Sequence, residues 1–154
     1  MSIRTAVALL VLSSLCAVTP PAKALEYQTL AAGACKSALP VYDGNIRSRP
    51  LAVQNEGWSL AFVTCTQQND TAVRASNASI ALVNTTGGAV TVNCTLVEDT
   101  LPATYTARSV TIAAGAKSGI VFLPEADTEF YFRFAFSCGI PPGVGIVGVG
   151  AAHP

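Results

Sequence analysis

Hydrophobic and polar residues alternate with a period of two in two stretches of the chain. Over 89–97, Val90, Val92, Cys94 and Leu96 share one face, and Thr91, Asn93 and Thr95 share the other. Over 130–138, Phe130, Phe132, Phe134, Phe136 and Cys138 share one face, and Tyr131, Arg133, Ala135 and Ser137 point away. Successive side chains of a strand leave opposite faces, so each stretch predicts a strand with one side on a core and one toward water. Each buried Phe contributes on the order of 2–3 kcal/mol before entropy is counted.

Further short β-rich runs are punctuated by turn residues. They cover 51–54, 58–65, 79–84, 103–112, 119–123 and 144–149. The breaks carry Gln67-Gln68-Asn69-Asp70, Thr85-Thr86-Gly87-Gly88, Glu98-Asp99 with Pro102, Gly115, Pro124 and Pro141-Pro142-Gly143. No segment keeps a helical period for three turns. About eight short strands at this spacing predict an all-β fold, an antiparallel β-sandwich of immunoglobulin-like or jelly-roll-like type. Residues 25–50 are irregular, with one strand expected near 25–30, and are read as an arm along the sandwich edge.

The first 24 residues change the picture. Arg4 precedes an apolar run over 5–18, Pro20-Pro21 ends it, and Ala22-Lys23-Ala24 offers the small residues that a signal peptidase reads. The run is too short for a helix spanning a bilayer of about 30 Å. Leu15 is too bulky for lipid attachment at Cys16. The expectation is a signal peptide over 1–24 and a single domain over 25–154, exported to the periplasm or the outside, without a transmembrane segment. Removing Arg4 and Lys23 leaves seven basic against nine acidic side chains, a net charge of −2, which argues against nucleic acid as a partner. With 12% charged and 51% apolar residues the chain has the composition of a folded domain.

Export sets how the cysteines are read. Cys35, Cys65, Cys94 and Cys138 form an even set in an oxidising compartment, so two bridges are expected. Zinc is disfavoured: no CxxC exists, and His153, the single histidine, stands in a terminal tail of Gly, Ala and Pro. Strand facing selects the pairs. Cys94 and Cys138 both lie on apolar faces, so they are expected to bond, leaving Cys35 to fasten the N-terminal arm to Cys65.

Catalytic constellations are sparse. A Ser/His/Asp or Cys/His site needs an imidazole beside its nucleophile, and G-x-S-x-G is absent. The acids Glu98-Asp99 and Glu125, Asp127 and Glu129 could serve a carboxylate-dependent hydrolase or hold calcium, but a solvated loop is the expected setting. Arg47 and Arg49 flank Ser48 and would point the same way from an extended segment, as an anion-binding pair. Trp58 is read as packing on the core, with a stacking platform as the alternative. Arg47, Arg49 and Trp58 are the candidate ligand surface. Four sequons, at Asn69, Asn77, Asn84 and Asn93, are assigned no glycans.

Ser137-Cys138-Gly-Ile-Pro141-Pro142-Gly143-Val-Gly-Ile, Asn45-Ile-Arg47-Ser-Arg49-Pro50-Leu51, Val63-Thr-Cys65 and Val92-Asn93-Cys94-Thr95-Leu96 together resemble small secreted four-cysteine proteins of Gram-negative bacteria. The resemblance implies a periplasmic or exported β-sandwich and no reaction. A thinner similarity to fimbrial subunits rests on Val144-Gly-Ile146-Val147-Gly-Val149-Gly. The expected function is non-enzymatic and without a cofactor: a monomeric binding or accessory protein whose partner is an extracytoplasmic protein or glycan. The alternatives are a structural subunit that adds a strand to its neighbour through 25–34 or 144–154, and the hydrolase.

Overall fold

The computed structural model describes residues 25–68, 75–98, 102–124 and 133–153. The strands are β1 (Leu25–Leu30), β2 (Cys35–Ser37), β3 (Ile46–Arg49), β4 (Ala52–Asn55), β5 (Ala61–Gln68), β6 (Asn77–Asn84), β7 (Val90–Glu98), β8 (Thr104–Ile112), β9 (Lys117–Phe122), β10 (Arg133–Ile140) and β11 (Val144–His153). One helical turn, α1 (Ala31–Ala34), links β1 to β2.

The strands form two antiparallel sheets. One runs β3-β4-β11-β6-β9, with β1 added to β11; the other runs β2-β5-β10-β7-β8. The eight strands β4 to β11 form two interlocked sets, 4-11-6-9 and 5-10-7-8, and every connection among them crosses between the sheets except the β7–β8 hairpin. That order is a jelly roll, which settles the choice between the two predicted sandwich types. The eight runs read from the sequence are these eight strands, and β1, β2 and β3 extend the sheet edges.

Buried side chains from both inner faces fill the space between the sheets. Val53, Ile80, Leu82, Phe122, Val144 and Ile146 come from the six-stranded sheet, and Val63, Val92, Leu96, Phe136 and Ile140 from the five-stranded one. Phe122 and Phe136 meet between the sheets with ring centroids 5.7 Å apart. Phe134 stands edge-on to Phe136 at 5.6 Å. Phe130 and Phe132 lie outside the described residues, as do Asn69, Asp99, Glu125, Asp127 and Glu129.

Cys35 is bonded to Cys65, and Cys94 to Cys138, with Cα atoms 4.0 and 4.1 Å apart. Each pair is in direct cross-strand register, on β2–β5 and on β10–β7. Both bridges therefore lie within the five-stranded sheet, on its buried face.

Several expectations change. Neither terminal segment is a free arm. β1 pairs with β11 along its whole length, and β11 lies inside its sheet, with β6 on one side and β4 and β1 on the other. His153 belongs to no loose tail; it is buried on β11, in register with Leu25. Gln67, read as part of a turn, is a buried residue of β5, because that strand runs on to Gln68.

Four connections gather at one end of the sandwich: β4–β5, β6–β7, β8–β9 and β10–β11. Two buried asparagines brace it. The Asn55 side-chain amide donates to the carbonyls of Ser59 and Ile140, both at 2.8 Å. Asn84 donates to Gly88 at 2.7 Å and to Ile112 and Ala113 at 3.1 Å. Asn84 is thus a structural residue with no exposed amide for a glycan.

Candidate functional site

The five-stranded sheet turns its second face away from the core, and the alternation that builds the core also composes this face. Along β5 the outward residues are Phe62, Thr64 and Thr66; along β10, Arg133, Ala135, Ser137 and Gly139. Along β7 they are Thr91, Asn93, Thr95 and Val97, and along β8, Tyr105, Ala107, Ser109 and Thr111. Register orders them into rows across the sheet. One row is Phe62–Gly139–Asn93–Ser109, the next Thr64–Ser137–Thr95–Ala107, and the third Thr66–Ala135–Val97–Tyr105. The floor is of small side chains, mostly hydroxyl-bearing, and its three rows carry no charge across β5, β10, β7 and β8. The Thr91 and Thr111 hydroxyls meet at 2.9 Å.

The third row holds a depression of about 320 Å³ lined by Thr66, Val97, Ala103, Arg133 and Ala135, with Glu98 at its margin. The small side chains of Ala135 and Thr66 leave the hollow. Burial pushes the Glu98 carboxyl above its usual range. Gln67 also borders the depression, and its side-chain oxygen is buried without a hydrogen-bond partner among the described residues.

The opposite corner of the same face is apolar and aromatic. Phe62 is 40% exposed and lies over Gly139, where a Cβ would come 3.4 Å from its ring and 3.6 Å from Leu60. Glycine at 139 leaves the ring room to lie along the sheet. Tyr42 packs on Phe62 at 5.9 Å, and the Ala38 N–H holds the Phe62 carbonyl at 2.8 Å. Val41 and Leu60 are exposed beside them.

Trp58 is 90% exposed, which overturns its reading as a core residue. The reason is local. The β5 alternation starts at Ala61, so Trp58 falls in the bend ahead of the strand instead of on its inner face. That bend is tied to Asn45, whose amide donates to the Ser59 hydroxyl at 3.3 Å.

Arg47 and Arg49 sit on β3, the edge of the other sheet, and both are exposed. Arg49 is paired with Glu56, its Nε donating at 2.7 Å. Arg47 donates to the backbone carbonyls of Asp43 and Ile46 at 3.1 and 3.2 Å. Both cations thus have partners within their own hairpin. Asn45, two residues ahead of Arg47, ties the turn before β3 to the bend that carries Trp58. Alternation marks the inward half of each strand as core; Phe62, Tyr105 and the hydroxyl rows lie on the outward half, and only the register aligns them.

Among the described residues no three His, Cys, Asp or Glu side chains gather to hold a metal ion. Among them, no helix is long and apolar enough to cross a membrane.

No family model matches the chain. No curated protein matches it either. Solved structures similar to it include a Podospora anserina GH26-CBM35 β-(1,4)-mannanase, at 12% identity and a TM-score of 0.50, over 84% of this chain and 28% of that one. A mutant of CBM29-2, a family 29 carbohydrate-binding module, is similar at 15% identity and a TM-score of 0.43, over 84% and 93% of the two chains. TmCBM61 in complex with β-1,4-galactotriose follows at 10% identity and a TM-score of 0.38, over 83% of each. The chain thus corresponds to under a third of the mannanase chain. At this identity the likeness to the mannanase chain is one of fold, a β-sandwich.

Proposed function

We propose that the protein is an exported, monomeric, non-catalytic binding module, and that its ligand is a glycan taken on the outer face of the five-stranded sheet. Export rests on the sequence of residues 1–24 and on the two disulfides, and agrees with the resemblance to small secreted Gram-negative proteins. One observation carries the ligand class: a floor of hydroxyls and an exposed amide bordered by exposed aromatic rings. Sugars present polar edges and apolar faces together, and such a surface meets both. Carbohydrate-binding modules are among the sandwiches named above; the reading rests on the surface of this chain. The non-catalytic reading is supported by the described rows of the face, whose hydroxyls and small apolar groups are those of a binding surface and not of a paired acid and base.

Calorimetric titration of the purified exported protein with a panel of neutral and acidic oligosaccharides tests the reading. Binding of at least one glycan without formation of shorter products is expected. Hydrolysis, or binding to none, refutes it. Intact-mass analysis of the same material tests export, with Leu25 expected as the first residue.

A further inference from the structure

Phe62 and Tyr105 stand at opposite corners of the outer face. Phe62 lies on β5 in the first row, and Tyr105 on β8 in the third. Three strand spacings separate β5 from β8 in the sheet order, about 14 Å across. Two rows separate them along the strands, about a further 14 Å. The diagonal is therefore about 20 Å. Both side chains are exposed, at 40% and 69%.

Between them lie Gly139, Asn93, Thr64, Ser137, Thr95, Ala135 and Val97, all small or medium and all uncharged. No bulky side chain of these rows interrupts the path. Lys36 is confined to the edge strand β2, and Arg133 to the end of β10.

We infer that this face holds an extended, neutral oligosaccharide several rings long, laid along the diagonal from Phe62 to Tyr105. The inference rests on the glycan-binding reading above and specifies the ligand within it. A single sugar would meet one ring and a few hydroxyls. A longer chain meets both rings at once, and the second contact costs little additional translational freedom once the first is made. The uncharged floor leaves a carboxylated or sulfated chain without guanidinium or ammonium partners along most of its length. Salt should then have little effect, because screening acts on charges and not on stacking or hydroxyl contacts.

The test uses the full exported protein with β-1,4-linked gluco-, manno- and galacto-oligosaccharides, as disaccharides and as hexasaccharides, and with polygalacturonate as the charged probe. At least one hexasaccharide series is expected to bind about tenfold or more tighter than its disaccharide. Phe62→Ala and Tyr105→Ala are each expected to weaken the hexasaccharide about tenfold. At least one of the two should leave the disaccharide unchanged. Tyr105→Ala should keep the parent melting temperature; Phe62→Ala also loses its packing on Tyr42 and should lower it, so melting is measured alongside and binding is read well below each variant's transition. Equal affinity for disaccharide and hexasaccharide overturns the inference. So does hexasaccharide binding indifferent to both substitutions, or polygalacturonate bound more tightly than every neutral chain. Each of these outcomes leaves the glycan-binding reading intact. Absence of binding to any glycan overturns both.

Discussion

Asn55 and Asn84 occupy equivalent corners of the sandwich, each closing a strand of one sheet where the chain crosses to the other. Each accepts a backbone N–H two residues on, from Gly57 and from Thr86, both at 2.9 Å. Each then divides its amide protons between a carbonyl of its own connection, Ser59 or Gly88, and the end of a distant strand, Ile140 or Ile112. Gly143 joins the corners: its N–H donates to the Asn55 carbonyl at 2.8 Å, and its carbonyl accepts the Thr85 N–H at 2.9 Å.

Replacing either asparagine by alanine strands buried carbonyls that water cannot reach. The expected loss is about 2–4 kcal/mol in urea unfolding. Aspartate should not rescue either site, because it keeps the accepting oxygen and lacks the donors.

Gly143 has φ +75°, and a Cβ there would come 2.5 Å from the Thr86 methyl. Gly143→Ala should therefore cost about 2–4 kcal/mol, from left-handed backbone and steric overlap together. Adding Thr86→Ser removes the methyl and should recover part of the loss. Gly87→Ala, into open space, should stay within about 0.5 kcal/mol. Thermal melts of the set separate the two contributions.

The strands were legible because period-two alternation is a local property, and the eight runs needed no knowledge of their neighbours. Their order was not legible, because 4-11-6-9 and 5-10-7-8 are set by pairings between distant segments. β11 was read short and its end as a tail. Its Gly and Ala residues give no alternation, since the strand is crowded on both sides. At Gly148 a Cβ would meet the Thr29 carbonyl at 3.0 Å, and at Gly145 the Val83 side chain at 3.3 Å. Trp58 failed for the opposite reason, a large apolar residue placed just before a strand whose facing does not extend to it. The binding face was half legible: its polar rows were visible as Thr91, Asn93 and Thr95, but their alignment with Phe62 and Tyr105 depends on register.

Glu98 gives a pH dependence. Burial raises its pKa above the usual 4.5, so the folded state holds a proton that the unfolded state has released. Stability from this group is complete below about 4.5 and falls as pH rises through the folded value. Glu98→Gln should raise the melting temperature at neutral pH and leave it unchanged near pH 3; a gain of equal size at both values would exclude this origin.

The two bridges close loops of similar length, with sequence separations of 30 and 44. Loop closure gives an upper value of about 4 kcal/mol for each. Replacing Cys94 and Cys138 together by serine should cost more than replacing Cys35 and Cys65. The former places two hydroxyls between core strands, whereas β2 is a three-residue edge strand that can detach. Chemical unfolding of the two double variants ranks them.

The same bonds divide the polypeptide into covalent compartments. The rings 35–65 and 94–138 do not overlap in sequence. A single proteolytic cut between Cys65 and Cys94 yields two pieces, one carrying each ring, held together by sheet pairing and core contacts alone. They should part in denaturant without any reductant. A cut inside either ring opens it yet leaves one continuous molecule until the thiols are reduced. Whether a nick falls inside a ring or between the rings, in 66–93, thus decides whether the cut halves stay joined through unfolding and can refold as one molecule.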